Sequence, residues 1–276
     1  MIRISAMSAK AAVLSLALCM FASARAEACS IFVLTDGRRV LFCNNEDFSN
    51  PKTRIWFVPG ESGRHGCVYV GFDDDWAQGG LNIEGLAFDW VAGFKEKWKA
   101  DPKKAIAKGN SAQRMLETCS TVDETIAFYE KHHEESFSYG KMLVADRSGA
   151  SAIIGVKDGR LHVEKMKKSR GLGLGFGMRG DFATKMVAES PEPTAANAAV
   201  ILKKTQQDGK NATKYSNVFD LKSGDILLIR FADRDDAVKL NLAEELKKDP
   251  HYFDIPDIRE QLKQKLKPLT DEMKKR

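Results

Sequence analysis

The sequence is poor in metal-ligating side chains, with only five histidines and five cysteines in 276 residues. Beyond the first 28 residues, Cys29, Cys43, Cys67 and Cys119 follow one another at separations of 14, 24 and 52, which match no zinc or iron–sulfur spacing. Long apolar runs are also missing. Ala11–Ala22 (AAVLSLALCMFA) is too short to span a bilayer comfortably, and no second stretch could cross one. The glycines at 171, 173, 175, 177 and 180 form no phosphate-binding loop, because the spacing is wrong and no lysine–serine pair ends them. A glycine-faced strand approached closely by another segment or a substrate accounts for them better. Lys165-Met166-Lys167-Lys168 and Lys247-Lys248 lack interleaved aromatics, so solvated element ends explain them better than nucleic-acid binding. Asp73, Asp74 and Asp75 suggest a cation site, but a solvated acidic loop accounts for them at least as well.

What is present concentrates in Ala24–Phe48. Arg3 and Lys10 precede the apolar run, and Ala26-Glu27-Ala28 fits the small-x-small rule of signal peptidase. Cleavage after Ala28 would make residues 1–28 a secretory signal and leave Cys29 first in a domain spanning 29–276, periplasmic or secreted. Cleavage after Ala24 or Ala26 would leave an ordinary buried cysteine. A lipoprotein signal would prefer Leu where Ala26 stands and a small residue where Glu27 stands. Without residues 1–28 the 43 basic and 38 acidic residues become 40 and 37, a bland balance for a chain long enough to bury one large core. A disulfide is permitted in an oxidising compartment, with Cys43 and Cys67 the first pair to consider, although a domain of this size does not need one.

In order, Ser30–Leu34 and Arg39–Phe42 flank an Asp36-Gly37 turn and read as a hairpin. Strands are expected over Arg54–Val58 and His65–Val70, and on both sides of the glycine turn in Gly79–Phe88. Lysine-rich residues 95–108 read as an exposed loop with room for a short helix. Helices are expected over 111–119, from the Thr121–Glu124 capping box to about His132, and over Thr194–Gln206. Strands return over Lys141–Ala145, Ala152–Val156, Leu161–Lys165, Asn217–Asp220 and Asp225–Phe231. From Leu240 the tail reads as charged helix broken by prolines. Strands, then helices, then strands argue α+β layering.

A cysteine at a mature amino terminus carries a nucleophilic thiol and a free amine of pKa about 8 on one residue. The hairpin returns Asp47 beside it to orient that amine, or else Asp47 caps the following loop. Asn45 and Asn82 are candidate oxyanion donors and Asn217 a weaker one, unless each ties down a turn. The chemistry is acyl transfer to water: thiol attack on an amide, a thioester, then hydrolysis, with no metal or organic cofactor required. Trp56, Phe88, Trp90 and Phe94 suit an acyl pocket, with core packing the default reading of such aromatics.

CSIFVLTDGRRVLFCNNEDF followed by GGLNIEGLAFDW resembles the choloylglycine hydrolase family of linear amide C–N hydrolases, which includes bile salt hydrolases and penicillin V acylases. The resemblance implies an N-terminal-nucleophile (Ntn) fold, a four-layer αββα sandwich with two stacked mixed, largely antiparallel sheets. It also implies Cys29 as nucleophile, Asp47 as the motif aspartate and Asn82 at the head of the N-E-x-G-L turn. The implied partner is a small-molecule N-acyl amide, and a homo-oligomer is compatible with it. The family's arginine falls on Asn44 and its second oxyanion residue on Ala92, with Arg179 a stand-in for a late arginine. Two readings follow: a divergent amidase, or an exported binding or structural protein on the same fold.

Overall fold

Continuous apolar runs, buried on both faces, build the first two strands, β1 (Ser30–Thr35) and β2 (Val40–Asp47), which pair antiparallel with Ser30 opposite Asn45 and Thr35 opposite Val40. The Asp36 carboxylate accepts the Arg38 and Arg39 N–H groups and Gly37 adopts φ 83°, so the expected hairpin closes on its own turn residues. The computed structural model describes residues 29–275 except 93–94, 100, 174–177 and 231–236. The expected leader, Phe94, Gly175 and Gly177 therefore lie outside the described residues.

The strands that follow are β3 (Thr53–Val58), β4 (Cys67–Phe72), β5 (Ala77–Asn82), β6 (Ala87–Ala92), β7 (Ala105–Ile106), β8 (His132–His133), β9 (Gly140–Ala145), β10 (Ser151–Lys157) and β11 (Arg160–Met166). After them come β12 (Arg170–Gly173), β13 (Thr213–Asp220), β14 (Asp225–Arg230), β15 (Ala237–Asn241), β16 (His251–Asp254) and β17 (Lys267–Pro268). One sheet has six strands in the order β12-β1-β2-β13-β14-β15, and the other has nine in the order β11-β10-β9-β6-β5-β4-β3-β16-β17. Every ladder in these two sheets is antiparallel. Among the described residues only the two-residue pair β7–β8 runs parallel.

Period-two alternation builds four layers from these sheets. Ile31, Val33 and Phe42 of the smaller sheet meet Ile55, Val68 and Leu81 of the larger one in a single buried seam. The intervening residues Phe32, Leu41 and Cys43 pack outward against Val187 of α3 (Met178–Glu189) and Ile201 of α4 (Ala195–Thr205). On the far side, Trp56, Tyr69 and Phe88 pack outward against Met115 of α1 (Ser111–Thr118) and Tyr129 of α2 (Val122–Lys131). Asn110, Thr121 and Thr194 accept N–H groups of the first turns of α1, α2 and α4, as their positions in the sequence require. Burying one such Ile, Val or Phe contributes about 1.5–3 kcal/mol, so this αββα packing is held by three apolar layers.

Several expectations change. The four cysteines among the described residues are free, and a Cys43–Cys67 disulfide is ruled out by the layering: each of those two thiols faces its own helices, with the seam between them. Met178 and Gly180 begin α3 and do not belong to the glycine-faced strand, whose described part is Arg170–Gly173. The tail supplies β15 and β16; His251–Asp254 pairs with β3 between Pro250 and Pro256. Asp75 is buried, accepting from Arg54 and from the Thr270 hydroxyl, so it is a structural anchor inside an otherwise solvated acidic loop.

Gly85 turns the chain between β5 and β6 at φ 79°, and a Cβ there would collide with the Leu221 carbonyl oxygen beyond β13. Gly85→Ala is therefore expected to lower the unfolding free energy by at least about 2 kcal/mol, measured by denaturant titration.

Candidate active site

The β1–β2 register decides what Cys29 meets. One residue ahead of the Ser30–Asn45 pair, it lies across from Glu46, and its side chain shares the parity of Ile31 and Val33, which face the seam. The thiol donates to Glu46 Oε1 at 3.4 Å and accepts the Asp47 N–H at 3.5 Å. The second Glu46 oxygen accepts the Asn44 amide at 3.1 Å, two residues back on the same face of β2. A nucleophile, a carboxylate and a group that orients the carboxylate are thus lined up by strand periodicity alone.

The next strand completes the row. On β13, Tyr215 sits opposite Glu46 and Asn217 opposite Asn44. From the facing sheet comes Asp89 of β6, whose carboxylate fits only because residue 79 is glycine. Asn44, Asp89, Tyr215 and Asn217 are fully buried. Among the described residues 12 buried side-chain polar atoms lack a hydrogen-bond partner, and five of them belong here: Asn44 Oδ1, Asp89 Oδ2, the Tyr215 hydroxyl and both amide atoms of Asn217. An unpaired buried polar atom costs about 1–3 kcal/mol, so a concentration of them marks a place shaped for something other than stability.

The electrostatics are equally one-sided. Burial pushes the Cys29 thiol well up, and the negative charges of Glu46, Asp47 and Asp89 push it further, opposed by the Asp47 N–H. Burial raises Glu46 to about 7, against the hydrogen bonds from Asn44 and Cys29. Asp89 is raised well above the carboxylate range by burial and then by Glu46. Tyr215 is raised by burial, then by Glu46, Asp89 and Cys29, which places its hydroxyl in the same field. Among the described residues no three His, Cys, Asp or Glu side chains are grouped to hold a metal ion.

Of the residues singled out in the sequence, Cys29 and Asp47 come together. The Asp47 carboxylate also accepts the Thr213 hydroxyl. Asn45 and Asn82 do not join them. Asn45 points to the opposite face of β2, donating to the Leu202 carbonyl at 3.0 Å and Thr205 Oγ1 at 2.9 Å while accepting from Ser216. It fastens α4 to the sheet. Asn82 donates to the Leu116 and Cys119 carbonyls at 2.8 and 2.7 Å and accepts the Leu86 N–H, tying the glycine turn to the end of α1. Neither keeps an N–H for an oxyanion, whereas Asn217 does. Trp56, Phe88 and Trp90 face the α1–α2 layer, away from the thiol, so they are outer core and not an acyl pocket. Ala92 is exposed at the end of β6, and the Arg179 side chain lies outside the described residues. Glu46, Asp89 and Tyr215 were missed. The available signal was parity: an acid inside the apolar strand Ala87–Ala92, and a glutamate two residues from Asn44.

No protein-family model matches the sequence, and no curated protein matches it. Solved structures do. Penicillin V acylase from Agrobacterium tumefaciens superposes with a TM-score of 0.62 at 15% identity, over 82% of this chain and 91% of that one. A variant of conjugated bile acid hydrolase from Clostridium perfringens gives 0.65 at 14% identity, over 88% and 99%. The N-acylethanolamine-hydrolyzing acid amidase orthologue of Caenorhabditis elegans gives 0.52 at 12% identity, over 70% and 93%. The fold is therefore the choloylglycine hydrolase-like Ntn fold.

Two predictions follow from the buried groups. Asn45→Ala strands two donors' partners and one acceptor's, and is expected to cost about 2–3 kcal/mol of stability in denaturant titration. Glu46, raised from 4.5 to about 7, binds more protons folded than unfolded, so the unfolding free energy of the uncleaved chain falls as pH rises through that window. The loss is on the order of 3 kcal/mol, and Glu46→Gln removes it.

Proposed function

We propose that the chain is an exported cysteine amidohydrolase that cleaves a linear carbon–nitrogen bond of a small N-acyl amide. Removal of residues 1–28 would leave Cys29 as the amino terminus of one domain. The observation that carries this reading is the Cys29 thiol at the open end of β1, inside the seam, beside a carboxylate and a backbone donor. The fold is the one used by a penicillin V acylase, a bile acid hydrolase and an acylethanolamine amidase, all of which act on amides.

Cys29 Sγ attacks the amide carbonyl, the amine leaves, and water releases the acid from the thioester. Asp47, whose N–H meets the Cys29 thiol, is the carboxylate that orients the new α-amine. Asn217, with an unpartnered amide on the thiol's face of the sheet, supplies the oxyanion donor for which Asn45 and Asn82 have no N–H left. Attack needs a base beside the thiol. Two groups stand there: the α-amine of a processed Cys29 and the Glu46 carboxylate.

A second reading, an exported binding protein on the same fold, is favoured by one observation. Asn44 stands where an arginine would support a thiolate, and the charges acting on Cys29 are negative. The two readings separate experimentally. In the amidohydrolase, intact mass of the exported protein gives a chain beginning at Cys29, and amine release from a panel of N-acyl amides is lost in Cys29→Ser. Asn217→Ala is expected to lower kcat by about 100-fold. Full activity in Cys29→Ser would discard the mechanism. A correctly cut chain that releases no amine from any amide, with its thiol inert at about pH 8, would establish the binding reading.

A further inference from the structure

We infer that Glu46, oriented by Asn44, is the general base that takes the Cys29 thiol proton and hands it to the leaving amine. The inference rests on the amidohydrolase reading and chooses between the two bases that reading leaves.

Geometry comes first. The thiol donates to Glu46 Oε1 at 3.4 Å, and Asn44 fixes the other carboxylate oxygen at 3.1 Å. Nucleophile, base and orienting group form a relay on one face of one hairpin, the arrangement that nucleophilic catalysis requires. Charge comes second. An amine of ordinary pKa about 8 is already mostly protonated at neutral pH. Beside Glu46, Asp47 and Asp89 its ammonium form is favoured further, so it has no lone pair to accept the thiol proton. Among the described residues, the groups facing Glu46 are Cys29 just ahead of β1, Asn44 and Asp47 from its own strand, Tyr215 from β13 and Asp89 from the facing sheet. None of these is a cation, so the Cys29 ammonium is the counter-charge of the cluster, in the role that Asn44 cannot fill.

Moving the proton from Sγ to Oε1 conserves the charge of the pair. A thiolate formed next to an ionised Glu46 would instead place two negative charges in a buried site. The steps balance. Sγ bonds to the carbonyl carbon as its proton passes to Glu46. The tetrahedral intermediate expels the amine, which takes that proton as the C–N bond breaks. Glu46 then removes a proton from water as its oxygen attacks the thioester, and returns it to Sγ as the C–S bond breaks. Asn44 acts through Glu46 and is a positioning residue.

The test uses the mature protein and its Glu46→Gln, Glu46→Asp and Asn44→Ala variants. Two rates are followed from about pH 5 to 9: amine release from an N-acyl amide, and alkylation of Cys29 by iodoacetamide. If Glu46 is the base, both wild-type rates rise with a group titrating between the ordinary glutamate range and about 7. Glu46→Gln then loses that inflection and about 100-fold in kcat with little change in KM, and Glu46→Asp recovers part of it. Asn44→Ala lowers kcat about tenfold and displaces the inflection. The assignment is overturned if Glu46→Gln alkylates faster than wild type at every pH, because the carboxylate then only opposes the thiolate. It is equally overturned if Glu46→Gln keeps kcat within about threefold, or if a Glu46→Asp that folds as well as wild type recovers nothing. A wild-type protein that releases no amine refutes the amidohydrolase reading, while the alkylation profile still decides where the proton goes.

Discussion

The contact between the Cys29 thiol and the Glu46 carboxylate is the interaction on which the rest of this site depends. It is produced by the antiparallel register of one hairpin, which sets residue 29 across from residue 46 with both side chains in the seam. A one-residue slip would turn every side chain of β2 over, sending Glu46 to the helices and Asn45 to the thiol. The slip is prevented from both sides. Val40 and Phe42 are needed in the seam, while Asn45 is tied through Leu202, Thr205 and Ser216 on the opposite face. Asn45 thus contributes to the site by holding the register, although it never touches the thiol.

Burial and charge reinforce one another around that contact. Burial and the charges of Glu46, Asp47 and Asp89 each raise the cost of a negative charge on the Cys29 thiol, while the Asn44 amide supports the charge on Glu46. A site built this way favours proton transfer within the pair over a standing thiolate. In the proposed mature protein it would also give a free α-amine on Cys29 a task beyond attachment to the nucleophile, since its ammonium would be the counter-charge.

Much of the layout is legible in the sequence, because it rests on local rules. Asp36-Gly37 closes the hairpin, Gly85 turns β5 into β6, and Asn110, Thr121 and Thr194 start helices where their side chains can accept first-turn N–H groups. The site was legible only in part. Cys29 and Asp47 stand out by position and motif, but which face an asparagine takes depends on strand register, which a turn motif alone does not give. Asn82 drew attention for its turn and proved to be used up by that turn. Glu46 and Asp89 stayed hidden because each looks like an ordinary surface acid until the facing sheet covers it. The strand His251–Asp254 was masked by its flanking prolines, which stop helices but equally bracket a short edge strand.

Labelling mature protein with an acylating β-lactone and mapping the modified peptide by mass spectrometry tests the central claim directly. The account predicts a single acyl group on Sγ of Cys29, in a peptide whose amino terminus is the free amine of that same residue. An acyl group on Cys43, Cys67 or Cys119, or on a Cys29 still preceded by residues in a fully active preparation, would contradict it.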